Sequence, residues 1–209
     1  MKLATLLGAA VVAVCVTAAV AVTPGTYMTV GQQLSSTVTL YDMRTGDVQC
    51  AGVIVAEDRV LTAKHCVNTV ADGVRIQFID GRVEDGLVLK RADNADVALI
   101  AVDTGDMPIA PIQREIQVGD AVCSVGAPLG LVWTRNCGVL SARRPYMEQS
   151  PTEGDDWLQV DVSITGGNSG GPLFAVNGGV VGIVSWGFVN VQGFNFIVPI
   201  NVALKAVGL

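Results

Sequence analysis

The sequence predicts an all-β fold, and three observations carry that expectation. Short runs rich in Val, Ile, Leu and Thr alternate with Gly, Asp and Pro; glycine is abundant, at 24 residues; and no long amphipathic helical pattern stands out. In the first half the expected strands cover residues 36–41, 49–56, 59–62, 75–78, 86–90 and 97–102. The second half supplies 121–125, 136–141, 157–160, 172–175, 180–186 and 193–199. Between them, residues 102–113 carry Gly105, Pro108 and Pro111 and read as a connection joining two β halves. Residues 201–207 read as a short terminal helix, with Gly208 just past its end. Many short, evenly spaced strands suit a barrel or a sandwich, and no internal repeat is visible.

The chain has 209 residues, which suits one domain or two small packed lobes. Half of the residues are hydrophobic and 15% are charged, enough to build a core and too apolar for wholesale disorder. A net charge of −6 argues against a general nucleic-acid binder, which needs a basic surface to displace counterions. The paired basic residues of the globular region, Lys90-Arg91 and Arg143-Arg144, read as solvated positions at a strand end and in a loop before Pro145.

Part of the apolar excess lies at the N-terminus. Met1-Lys2 precedes a nearly unbroken apolar run over residues 3–22, with Ala19-Val20-Ala21 ahead of Thr23-Pro24-Gly25. One positive charge, an apolar stretch and small residues describe a secretory signal peptide cleaved after Ala21. A run of about 20 residues is also long enough to span a bilayer, so an uncleaved membrane anchor is the competing reading. Export is expected either way, with residues 1–21 as leader and 22–209 as the working domain. A lipid anchor through Cys15 fits less well, because Val14 is bulkier than the small residue usual at that place.

Cleavage removes Cys15 and leaves Cys50, Cys66, Cys123 and Cys137. Four cysteines in an exported chain favour two disulfides, and the sequence allows three pairings. The sequential pairing, Cys50–Cys66 with Cys123–Cys137, closes two short loops, each worth about 3 kcal/mol in the chain-entropy account. Zinc is disfavoured by the lack of a close Cys-x-x-Cys pair. No metal or other cofactor is expected.

Chemistry can reside in three places. Leu61-Thr62-Ala63-Lys64-His65-Cys66 ends an expected strand with the chain's one histidine. Asp96-Val97-Ala98-Leu99-Ile100 sets an acid before an apolar run, and Gly166-Gly167-Asn168-Ser169-Gly170-Gly171-Pro172 sets a serine in a glycine-rich turn. A serine hydroxyl is a weak nucleophile that needs a neighbouring base; imidazole can accept its proton, and a buried carboxylate orients the imidazole. Glycines beside the serine allow a tight turn whose amides face a developing oxyanion, with the Gly167 and Ser169 amides as candidates. Alone, each feature is ordinary: a structural histidine, a strand boundary, a turn. A phosphate loop would need a Gly-Lys-Ser/Thr ending, which is absent. Together, in the order His, Asp, Ser, they are far harder to assemble by accident.

The segments Ala63–Cys66, Asp96–Ile100 and Gly167–Pro172 resemble the three signature regions of chymotrypsin-like serine proteases. The resemblance covers about residues 36–200 and implies two six-stranded antiparallel β-barrels, at about 30–103 and 114–200, with a short C-terminal helix. It implies a triad of His65, Asp96 and Ser169, and it matches Cys50 and Cys66 to the disulfide that closes the histidine loop. Ser185-Trp186-Gly187 resembles the strand that pairs with bound substrate, with Ser185 placed to hydrogen-bond the aspartate. Val125-Gly126-Ala127-Pro128-Leu129-Gly130 followed by Cys137-Gly138-Val139-Leu140-Ser141 is similar to the HtrA-type branch. Asn168 stands where trypsins carry the aspartate that pairs with a new N-terminus, so activation by that ion pair is not expected. The chain ends soon after these segments, so a protease domain without a PDZ domain is expected.

The implied specificity pocket draws on Ser163, Ile164, Thr165, Ser185, Trp186, Gly187 and Phe194. Ser163 falls where trypsins carry the acid that selects Lys or Arg, and Val184 replaces the histidine of some glutamate-specific relatives. A polypeptide cut after small or aliphatic residues is the expected substrate. Two rivals remain in view. One is a catalytically silent binding or adhesion protein on the same fold. The other is an α/β-hydrolase esterase, whose histidine would follow the serine, whereas His65 precedes Ser169.

Overall fold

The computed structural model describes residues 27–209 except 44, 69–72, 146, 149, 151–155 and 189–190. The apolar leader and Cys15 therefore lie outside the described residues. Two closed six-stranded antiparallel barrels follow one another along the chain. The first comprises β1 (Thr37–Tyr41), β2 (Val48–Ala56), β3 (Arg59–Thr62), β4 (Gly73–Gln77), β5 (Val83–Arg91) and β6 (Ala98–Ala101), closed in the order β1-β2-β3-β6-β5-β4. The second comprises β7 (Ala121–Gly126), β8 (Thr134–Arg144), β9 (Trp157–Val160), β10 (Pro172–Ala175), β11 (Val180–Gly187) and β12 (Asn195–Pro199). Its order, β7-β8-β9-β12-β11-β10, repeats that of the first. The duplication is one of topology; the residues themselves show no repeat.

Side-chain alternation sorts the apolar residues into three cores. Ile54, Val60 and Ile100 point into the first barrel with Val38, Leu40 and Phe78. Their strand neighbours Val53, Leu61 and Leu99 point the other way and meet Phe174, Ile183 and Phe196 of the second barrel. Leu140, Leu158, Leu173 and Ile197 fill the second barrel. Strands buried on both faces read as nearly continuous apolar runs, which is what β2, β3 and β6 look like in the sequence. The C-terminal helix α2 (Ile200–Val207) buries Ile200, Ala203, Leu204 and Val207, the spacing of one helical face, in the shared core.

Residues 102–113 connect the barrels as expected, tied down by Ala110 N–H to Ile54 O at 2.9 Å and a bridge between Ile112 and Val180. Two local expectations need correction. A helix α1 (Val30–Ser35) precedes the first barrel where none was expected. Thr29 Oγ1 accepts from Gln32 N–H at 3.2 Å, while Gln32 Oε1 accepts from Thr29 N–H at 2.9 Å, a reciprocal cap that closes the first turn. Lys90 and Arg91 close β5 as expected, whereas Arg143 and Arg144, though exposed, stand on a strand and not in a loop. Arg143 and Arg144 lie within β8, donating to Ile116 O at 2.6 Å and Gln159 Oε1 at 3.0 Å, and Arg91 donates to Val67 O. Among the described residues no helix is long and apolar enough to cross a membrane.

Candidate active site

Strands β3 and β6 pair antiparallel, with Thr62 opposite Ala98, so the chain leaving β3 and the chain entering β6 meet at one end of the first barrel. The first carries His65 in a single 3-10 turn, Lys64–Cys66, and the second carries Asp96. A disulfide from Cys66 to Cys50 on β2 anchors the histidine turn, with Cα atoms 6.1 Å apart. Lys64 Nζ donates to Ala92 O at 2.7 Å and ties the turn to the segment leading to Asp96.

Asp96 receives three hydrogen bonds. His65 Nδ1 lies 2.7 Å from Oδ2, His65 N–H donates to Oδ1 at 3.0 Å, and Ser185 Oγ donates to Oδ2 at 2.6 Å. The carboxylate is 6% exposed and the imidazole 44%. Burial alone would raise the Asp96 pKa; the His65 side chain, its charge, the Ser185 hydroxyl and the His65 amide outweigh that and hold it below the ordinary carboxylate value. Ser185 belongs to β11, so this carboxylate is gripped from both barrels.

Ser169 sits in the turn before β10, pinned on two sides. Ala51 N–H on β2 donates to Ser169 O at 2.9 Å, and Gly170 N–H donates to Val184 O on β11 at 2.8 Å. Gly170 has a φ of +78°, and a Cβ there would fall 2.1 Å from Thr62 Oγ1, so the close approach needs glycine. The Cys66 sulfur lies 3.6 Å from Ser169 O, which brings the serine turn against the histidine turn. No hydrogen bond joins the Ser169 hydroxyl to His65 among the described residues.

Gly167 has a φ of +98°, and a Cβ would meet Ala127 O at 2.0 Å. Ala127 N–H donates to Gly167 O at 3.2 Å and Leu129 N–H to Gly166 O at 3.0 Å, so the loop after β7 braces this turn. The Gly167 and Ser169 amides donate to no other described residue. Asn168, 1% exposed, is buried between them with no cation bonded to its side chain.

The remaining expected site residues spread around this centre. Ser163 and Thr165 are exposed, Ile164 is partly buried, and Ser163 O accepts from Asn136 Nδ2 at 3.2 Å. Trp186 stacks on Phe196 with centroids 4.3 Å apart and meets Trp157 and Phe188 edge-on. Phe194 is 44% exposed, with its ring centroid 6.5 Å from that of Phe188. The sequence reading missed Trp157 and Phe188 in this aromatic group, and it missed Ala51 and Leu129 as backbone braces. The aromatics are visible as residue types, but only barrel closure brings them together. Cys50, His65 and Cys66 cluster closely enough to suggest metal ligands, yet the two sulfurs are bonded to each other and offer no thiolate.

Residues 50–183 match the protein family described as trypsin-like peptidase domain. The chain belongs to this family. The trypsin-like peptidase domain is 33% identical over 160 residues to the "Probable periplasmic serine endoprotease DegP-like" of Hahella chejuensis, covering 74% of this chain and 34% of that protein. Among solved structures it resembles the HtrA-type protease AlgW with tripeptide, with a TM-score of 0.77 and 25% identity over 85% of this chain and 62% of that one. The serine endoprotease from Yersinia pestis gives 0.71 and 28%, covering 85% of this chain and 65% of that one. The chain spans about a third of the length of the curated relatives it matches.

Proposed function

We propose that this trypsin-like peptidase domain is a serine endopeptidase that cuts polypeptides through His65, Asp96 and Ser169. The observation that carries the reading is the Asp96 carboxylate, buried and bonded at once to His65 Nδ1, the His65 amide and Ser185 Oγ. Asp96 fixes the imidazole with Nδ1 toward the carboxylate and stabilises the cation that forms when the imidazole takes a proton. His65 then removes the Ser169 proton as Oγ attacks the peptide carbonyl, and the Gly167 and Ser169 amides hold the oxyanion. His65 returns the proton to the leaving amine, and water repeats the cycle on the acyl-enzyme.

The finer reading is cleavage after small or aliphatic residues, supported by Ser163 in place of an acid at the implied pocket base. Export, with residues 1–21 as cleaved leader or membrane anchor and 22–209 as protease domain, is supported by the apolar leader and the periplasmic relatives. A silent adhesion protein has no use for two free amides beside a buried, triply bonded carboxylate. The test is a fluorophosphonate probe on the folded protein. Wild type is expected to label on Ser169 and to cleave library peptides after Ala, Val or related residues, while Ser169→Ala takes up no label. A folded wild type that resists the probe across the neutral pH range sinks the proposal.

A further inference from the structure

The two disulfides differ in a way that the proposed protease chemistry does not use. Cys50 is 3% exposed, Cys66 1% and Cys123 0%, whereas Cys137 is exposed on β8. Thiol–disulfide exchange needs a thiolate to reach one sulfur, and its rate depends on which sulfur is accessible and on how well charge is stabilised there. Arg135, two residues away on the same face of β8, donates from Nη1 to Cys137 Sγ at 3.1 Å. The guanidinium is held in place: Nε donates to Gln33 Oε1 at 3.1 Å and Nη2 to Val176 O at 3.1 Å. A disulfide at an exposed residue beside a fixed cation is a receptive target for an anionic thiol.

We propose that Cys137 is a thiol-exchange site, taking a low-molecular-weight anionic thiol of the glutathione class, and that opening Cys123–Cys137 loosens the brace of the serine turn. The incoming thiolate attacks Cys137 Sγ. The Cys123–Cys137 bond breaks, and Cys123 leaves as a thiolate that takes a proton from water. A second thiolate attacks the incoming sulfur of the mixed disulfide and releases Cys137 as a thiolate beside Arg135. In sum, two thiols are oxidised to one disulfide and the protein disulfide is reduced to two thiols.

The link to the site runs through one hairpin. Cys123 and Cys137 face each other across β7 and β8, with Ser124↔Asn136 and Val125↔Arg135 between them and the closing pair Gly126↔Thr134. Immediately beyond lies the loop whose Ala127 and Leu129 amides bond Gly167 and Gly166. A cross-link four register pairs deep holds the strands that hold this loop. This second half of the proposal rests on the protease reading; the exchange chemistry does not.

The experiment incubates the folded chain with reduced glutathione, quenches with acid, alkylates free thiols and maps the cysteines by peptide mass spectrometry. Glutathione is expected on Cys137 and alkylation on Cys123, with Cys50–Cys66 intact. Arg135→Gln is expected to slow the adduct about threefold to tenfold, the effect of one screened exposed charge. Cysteamine, whose attacking ammonium–thiolate form carries no net charge, shows no such slowing, added salt shrinks it, and Arg135→Lys restores most of the rate. Glutathione on Cys123, opening of Cys50–Cys66 together with or before Cys123–Cys137, or equal Arg135→Gln effects with both thiols would overturn the site. Should Arg135→Gln fail to fold, a wild-type glutathione rate indifferent to salt does the same. Fluorophosphonate labelling of the opened form is expected to drop about tenfold; unchanged labelling overturns the loop coupling alone.

Discussion

Asp96 concentrates the hydrogen bonding of the candidate site in one side chain. Its burial would favour the protonated form, and three hydrogen bonds reverse that preference. Because its pKa in the folded protein lies below the ordinary carboxylate value near 3.9, the folded state binds that proton less readily than the unfolded chain. The resulting stability is therefore fully present above the ordinary carboxylate range and is lost as pH falls through the lowered value. Asp96→Asn is expected to cut the labelling rate of Ser169 on the order of ten-thousandfold at neutral pH, since an amide cannot hold the imidazole in the working tautomer. Urea titrations of both proteins should show a stability gap at pH 7 that closes as the pH is taken below about 4. A gap of constant size down to acid pH contradicts the ionised role given to Asp96.

At the level of elements, the strands were legible because each is a short apolar run stopped by Gly, Asp or Pro. Strands β3, β9 and β10 coincide with the residues expected, and β2 and β7 differ by a single residue at one end. Strand β8 runs longer than expected because its ends carry Thr134, Arg135, Arg143 and Arg144, polar residues whose bonds to neighbouring elements are invisible in sequence. Helix α1 went unseen for a different reason. It has six residues, too few to show a helical period, and its one readable signal is the Thr29-x-x-Gln32 cap. Its place comes instead from Gln33, fully buried, whose Nε2 donates to Ala175 O at 3.1 Å and Gly178 O at 3.2 Å on the second barrel. Thr29→Ala is expected to cost about 1 kcal/mol in denaturant unfolding, the usual worth of a lost cap, with the labelling rate unchanged. A loss below the error of the titration means tertiary contacts alone hold α1.

The whole molecule is two barrels of one topology, and the candidate site exists only where they meet. His65 and Asp96 come from the first barrel, Ser169 and Ser185 from the second, and the bonds Ala51 N–H to Ser169 O and Ser185 Oγ to Asp96 cross between them. The residue types were legible in sequence because the proposed serine chemistry calls for them in recognisable settings; the crossing bonds were not, since they depend on how two closed sheets dock. The core between the barrels should therefore matter for chemistry in a way that the core inside a barrel does not. Leu61 and Ile76 are both fully buried, Leu61 in the shared core and Ile76 within the first barrel. Truncating either to alanine leaves a cavity and costs about 2–5 kcal/mol of stability. Leu61 lies on β3, one residue before the strand ends and four before His65, and faces the second barrel. Leu61→Ala is expected to slow fluorophosphonate labelling at least tenfold at a temperature where circular dichroism shows both variants folded, while Ile76→Ala labels near the wild-type rate. Equal rates in the two variants would show that the docking of the barrels leaves the site geometry untouched.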